Sequence, residues 1–256
     1  MTPLDPLFLT RPLAHRGYHD AAAGVPENSR AAFGAAIAAG YGIELDVQLS
    51  SDHQAMVFHD YHLGRLTAET GSVRTRSRAD LARIRLDDSA ETIPALADIL
   101  ALVAGRAPLL IEIKDQDGEM RRGVGPLERA VARDLQGYDG PVAVMSFNPH
   151  AMEIFAAAAP QVPRGLTTCA YQPHDWPHLP DEVFEHLREV PHYDRLGVTF
   201  VSHRATDLSR PRIAELKAQG AHILCWTVRS HEEEAQARHV AHNITFEGYA
   251  AEFPPP

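Results

Sequence analysis

The stretch "GIELDVQLSSDHQAMVFHD", Gly42–Asp60, decides how the rest of the chain is read. It holds two β-like runs, "GIELDVQLS" and "AMVFHD", parted only by the four residues 51–54. A crossover between parallel strands takes about a dozen residues or more, so the two runs are expected to pair as an antiparallel hairpin. Folding back about Ser51 and Asp52 returns His59 to roughly the level of Glu44 and Asp46.

With the return arm set aside, eight β-like runs remain, alternating with helix-like ones: "PLAHRG", "GIELDVQLS", "PLLIEIK", "VAVMSF", "RGLTT", "GVTFVSH", "HILCWTV" and "NITFEG". Such alternation predicts parallel strands joined by crossover helices. Eight units in about 240 residues suit a (β/α)8 TIM barrel, read as a single domain over residues 1–256. The rival is a doubly wound open sheet. It lacks support, since no GxGxxG follows the first run and no GxxxxGK[ST] occurs anywhere. Residues 61–93 fit no β/α unit and carry Arg, Asp, Ser and Thr. They are expected to form a polar insertion above the barrel mouth, with "SRADLARIRL" (77–86) as a short helix. The next helix is expected over 94–105, with Pro94 in its first turn.

At 256 residues and 45% hydrophobic content the chain can bury a large core. A formal charge of −10 and the lack of a long basic run give little electrostatic support for a nucleic-acid or anionic-membrane surface. No apolar run is long enough for a membrane span, and "MTPLDPLFLTR" is too short and proline-broken for a signal peptide, so a cytoplasmic protein without stable membrane insertion is expected. Cys169 and Cys225 are isolated and read as buried thiols. The fifteen histidines are mostly scattered.

In a barrel the active site lies at the C-terminal ends of the strands. The first run ends in His15-Arg16-Gly17. Glu44 and Asp46 are two apart and share one face of their strand, and Glu112 and Lys114 repeat the pattern on the next. Three carboxylates converging on one mouth call for a cation, and oxygen ligands without cysteine favour Mg²⁺ or Ca²⁺ over zinc. The alternatives are an exposed edge-strand face, or carboxylates satisfied by Arg16 and Lys114 alone. His15 and His59 flank the cluster and suit paired proton transfer, while Arg16 and Lys114 suit a phosphoryl group. Each histidine has the plainer reading of a satisfied polar residue at a strand end. Gly17 lets the loop turn sharply. Asn28 or Ser29 can cap the helix that follows, and Glu27 is expected to bond the histidines or to lie near the metal. Trp226 reads either as an apolar pocket wall or as a plain core aromatic.

With His-Arg-Gly, Pro-Glu-Asn-Ser, Glu-Leu-Asp-Val, Val-Phe-His-Asp and Ile-Glu-Ile-Lys in this order, the chain resembles the glycerophosphodiester phosphodiesterase family. The motifs span Leu13–Lys114, with a looser likeness through "MSFNP" and "CWTV". The resemblance implies a (β/α)8 barrel with an insertion after the hairpin. It implies metal ligation by Glu44, Asp46 and Glu112, acid/base catalysis by His15 and His59, and phosphate binding by Arg16 and Lys114. Glu27, Asn28 and Asp60 are expected to stand behind these. The implied reaction splits a small-molecule glycerophosphodiester into glycerol 3-phosphate and an alcohol, by way of a cyclic phosphate that water opens. The chain departs from the family pattern in three places. Ser29 replaces a threonine, Asp52-His53 stands where Asp-Gly is usual in the hairpin turn, and Glu247 stands near a usual aspartate.

Three rivals are weighed. A lysophospholipase D or phospholipase-type enzyme on a related barrel would release a cyclic phosphate and usually needs an apolar rim, whereas the insertion here is polar. An amidohydrolase would want His-x-His on its first strand, and His174 and His178 lie four apart in a loop instead. A non-catalytic phosphodiester-binding barrel would have lost a ligand or a histidine, and this chain keeps them all. The alcohol head group, the choice of metal and the oligomeric state are left open by the sequence.

Overall fold

The computed structural model describes residues 2–87, 89–116, 118–177 and 179–254. Among these, nine strands form: β1 (Leu13–Ala14), β2 (Gly42–Leu49), β3 (Ala55–Val57), β4 (Leu109–Ile113), β5 (Val142–Ser146), β6 (Arg164–Thr168), β7 (Phe200–Arg204), β8 (His222–Val228) and β9 (Asn243–Phe246). Eight are parallel and close into a barrel through the pairings of β1 with both β9 and β2. β3 pairs antiparallel with β2, Val47 facing Val57, which is the expected hairpin.

β2 is buried at every position because it has two covered faces. Ile43, Leu45 and Val47 meet the outer helices, packing in one cluster with Phe33, Leu96, Val131 and Phe155. Glu44 and Asp46 point the other way, into the barrel. A second cluster of Leu13, Leu110, Ala143, Phe200 and Leu224 fills the barrel floor around Phe8. Phe8 sits on the short N-terminal helix Leu7–Thr10, which Asn243 anchors by donating to the carbonyls of Phe8 and Arg11. The floor is packed so closely that a Cβ on Gly165 would come within 2.3 Å of the Phe200 ring. The polar site is thereby confined to the opposite end.

The insertion has its own small core, in which Leu63, Val73, Leu81, Leu86 and Ile93 pack on Met56 and Phe58 of the hairpin arm. Its helix is shorter than expected. Only Arg78–Leu81 is helical, because Arg85 bridges Thr92 and the chain turns back at once. The next helix also starts later than expected, at Leu96 and not at Pro94. The carbonyl of Pro94 accepts from Val57 N and Ala95 bridges Met56, so this segment is held extended against the hairpin. His178 lies outside the described residues, so its spacing from His174 is not addressed. No helix among the described residues is long and apolar enough to cross a membrane. Cys169 and Cys225 are free and buried, and burial pushes their thiols up to about 11 and about 12.

Candidate active site

Strand register builds the site. Asp46 of β2 lies beside Glu112 of β4, with Glu44 two residues earlier on the same face. All three are buried, and each offers an oxygen within 4.8 Å of the others'. Lys114, two residues past Glu112 on the same face, puts Nζ 2.7 Å from Glu112 Oε1 and 3.4 Å from Asp46 Oδ1. Arg16 donates its backbone N–H to Glu44 Oε2 at 3.0 Å and sets Nε 3.4 Å from Asp46 Oδ2.

The loop after β1 is shaped to allow this. Arg16 and Gly17 both have positive φ, at 54° and 82°. A Cβ at Gly17 would meet Ala32 at 2.8 Å, so only glycine fits here. Asn28 donates from Nδ2 to Asp46 Oδ2 at 3.0 Å, and its Oδ1 accepts from Asp46 N. Capping of the helix Arg30–Ala39 falls to Ser29, whose hydroxyl accepts from Ala32 N. The choice between the two residues is thus resolved by division of labour. Glu27 stands behind Arg16. Neither histidine nor the carboxylate cluster is among its bonds; it accepts from Arg16 Nη1 at 2.7 Å and from both Nη atoms of Arg65.

His15 follows β1 and His59 follows the return arm of the hairpin. Both line one cavity of about 150 Å³ with the three carboxylates, Arg16, Lys114 and Trp226. His15 Nδ1 lies 2.5 Å from Glu247 Oε2 and its Nε2 3.9 Å from Glu44 Oε2. His59 Nδ1 lies 2.6 Å from Asp60 Oδ1. Burial, aided by the Arg16 charge, lowers the pKa of His15.

The charges do not balance within the protein alone. Burial, with Asp46 and Glu112 beside it, pushes Glu44 well above the usual carboxylate range. Burial would also raise Asp46, but His59, Lys114 and Arg16 overcome it and hold that group far below its usual value. Lys114 is itself raised, because Glu112 and Asp46 outweigh its burial. Three buried carboxylates thus face Lys114 and an Arg16 already shared with Glu27. A divalent cation fits this deficit, and an all-oxygen donor set fits Mg²⁺ or Ca²⁺. Arg16 Nε is buried with no hydrogen-bond acceptor among the described residues, a donor suited to a phosphoryl oxygen.

Residues 15–244 match the model of the glycerophosphoryl diester phosphodiesterase family. The chain belongs to that family. Membership makes it an enzyme, a phosphoric diester hydrolase. A Bacillus altitudinis glycerophosphodiester phosphodiesterase is 31% identical over 192 residues, covering 72% of this chain and 73% of the relative. Among solved structures, an Oleispira antarctica phosphodiesterase superposes with a TM-score of 0.76 at 23% identity, covering 94% of this chain and 93% of that one. A Thermotoga maritima glycerophosphodiester phosphodiesterase gives 0.69 at 21% identity, covering 91% and 92%.

Beside the small cavity of this family member opens a vestibule of about 650 Å³, walled by Tyr61, Met120, Phe147, Trp176 and Trp226. Trp226 lines both spaces and is clamped in place. Its Nε1 donates to Ser202 O, Phe147 meets it edge-on at 5.4 Å, and the Arg204 guanidinium lies 5.2 Å from its ring. Trp226 stands in the pocket wall, the first of its two expected readings. Nothing in the sequence pointed to its companions Tyr61, Met120, Phe147 and Trp176, or to Arg65 and Arg229, which brace the carboxylates behind the histidines. Phe147 was visible only as the end of a β-like run. Arg65 ends a single 3-10 turn, Leu63–Arg65, and Arg229 follows β8 in a loop, and no motif marks either.

Proposed function

We propose that this enzyme hydrolyses glycerophosphodiesters to glycerol 3-phosphate and an alcohol, with Mg²⁺ or Ca²⁺ held by Glu44, Asp46 and Glu112 and proton transfer by His15 and His59. The observation that carries the reading is the meeting of both histidines with a buried carboxylate triad in one cavity. Bound there, the metal would supply charge neutralisation at the phosphoryl oxygens and lower the pKa of a nearby hydroxyl. Arg16 and Lys114 would hold the phosphoryl group. One imidazole takes the proton of the glycerol 2-hydroxyl as that oxygen bonds to phosphorus, and the other gives a proton to the alcohol oxygen as its bond to phosphorus breaks. Water then opens the cyclic phosphate with the two roles exchanged. sn-Glycerol 3-phosphate is the product seen with the Oleispira antarctica relative, and the same product is proposed here. Residues 1–256 are taken to act as one domain, and the two free buried thiols support a cytoplasmic setting.

The test is hydrolysis of glycerophosphocholine and glycerophosphoethanolamine followed by phosphorus NMR, with Mg²⁺, Ca²⁺ or EDTA present. Release of glycerol 3-phosphate that stops with EDTA and returns with one of the metals is expected. Turnover unchanged after exhaustive chelation would sink the metal assignment, and a cyclic phosphate as the end product would sink the hydrolytic one. A second reading, cleavage of a lysophospholipid, is favoured by one observation. The vestibule wall of Tyr61, Met120, Phe147, Trp176 and Trp226 offers an apolar surface, to which the insertion contributes Tyr61. Lysophosphatidylcholine in the same assay separates the two, since this reading requires it to be cleaved faster than glycerophosphocholine.

A further inference from the structure

Three adjacent parallel strands end at one level. Ala14 of β1 pairs with Phe246 of β9, which pairs in turn with Val228 of β8. The next residues along, His15, Glu247 and Arg229, therefore stand side by side at the barrel rim, where His15 N donates to Phe246 O and Glu247 N to Val228 O. Glu247 uses both carboxylate oxygens. Oε2 lies 2.5 Å from His15 Nδ1 and 3.8 Å from His19 Nε2, while Oε1 lies 2.7 Å from Arg229 Nη2.

The same chain of groups recurs on the other histidine. His59 Nδ1 meets Asp60 Oδ1, and Asp60 is bound by Arg65 through Nε at 2.6 Å and Nη2 at 3.0 Å. Two imidazole–carboxylate–guanidinium chains thus end in the cavity that holds the carboxylate triad. A neutral imidazole carries one ring proton, and an ionised carboxylate only accepts. A carboxylate on Nδ1 therefore places the proton there and leaves the Nε2 lone pair free.

We propose that Glu247 is a positioning residue for His15, holding the proton on Nδ1 and turning Nε2 toward the site, with Arg229 fixing the carboxylate that does so. The proposal rests on the reading of His15 as a proton-transfer group. Glu247 is then a working part of this chain's site, and His15 and His59 are prepared in the same way.

The experiment compares Glu247→Ala, Glu247→Asp and Glu247→Gln with the parent enzyme, reading kcat, KM, the thermal midpoint and the His15 tautomer from ¹⁵N–¹H correlations of the labelled imidazole. The parent is expected to show the Nδ1–H form. Glu247→Ala should lower kcat by about 10–100-fold with KM little changed and the tautomer redistributed. Glu247→Asp, which keeps the carboxylate, should recover part of kcat. Glu247→Gln is the sharper variant because it keeps the shape. Arg229 would claim the amide oxygen, the NH₂ would then face His15 Nδ1, and the ring should switch to the Nε2–H form with kcat at or below that of Glu247→Ala. Should Glu247→Ala fail to fold, Glu247→Gln carries the test. A parental tautomer and kcat in Glu247→Gln would overturn the proposal. A parent enzyme inactive on every glycerophosphodiester would overturn the proposed function, while the tautomer would still report on Glu247.

Discussion

His15 and His59 reach the site by different routes, one directly after a barrel strand and the other on the return arm of a hairpin. Each spends Nδ1 on a carboxylate that an arginine holds in place. Replacing either by alanine is expected to slow diester hydrolysis by about 10²–10⁴-fold. Thermal midpoints measured alongside would separate this from loss of fold, and a His15→Ala or His59→Ala enzyme as fast as the parent would remove that residue from the proton-transfer pair. Most of this site was legible in the sequence. Two-residue spacing on β2 and β4 puts Glu44 with Asp46 and Glu112 with Lys114, and the hairpin fold-back returns His59 to them. The pairing of Glu27 with Arg65 was not legible, because Arg65 comes from the insertion, 38 positions further on.

At the level of elements, the hairpin between β2 and β3 carries a cost at its tip. His53 adopts a positive φ of 59°, the conformation that a glycine takes without a Cβ penalty. Its neighbours compensate, since Ser50 Oγ accepts from Gln54 N and donates to Asp52 Oδ1. Because His53 is exposed, His53→Gly should raise stability by up to about 1 kcal/mol, the relief of strain being partly offset by a more flexible unfolded chain. Urea denaturation of the two proteins measures this, and a lower midpoint for the glycine variant would show that the histidine earns its place by other contacts. The helix expected within Ser77–Leu86 forms but stops at Leu81, for a reason at this same scale. Helical spacing in "SRADLARIRL" is real, but pairing of residues 85 and 86 with the chain near 91 and 92 competes with it and wins beyond Leu81.

For the whole molecule, the insertion is tied to the barrel by charge. Arg65 bonds Glu27 on the loop after β1 and Asp60 at the end of the hairpin arm. Burial would raise both acids, but Arg65 with Arg16 lowers Glu27, and His59 with Arg65 lowers Asp60. A carboxylate whose folded pKa lies below its unfolded value of about 4 stabilises the fold above that pH, and the contribution fades as pH falls toward the folded pKa. The urea midpoint of the parent should therefore drop between about pH 5 and pH 3, and that of Arg65→Ala should drop less over the same window. Equal slopes for the two would mean that Arg65 does not set these acids.

The sequence by itself determined the strand count, the hairpin, the parallel order and the residues that face the mouth. All of these follow from local periodicity and from how short a connection can be. Tertiary structure alone decided which distant charges meet. Glu247 with His15, Arg229 with Glu247, and Arg65 with Glu27 and Asp60 arise from barrel closure and from an insertion folding back over the rim. Closure is a property of all eight strands together, so the contacts it makes are written in no single stretch of the chain.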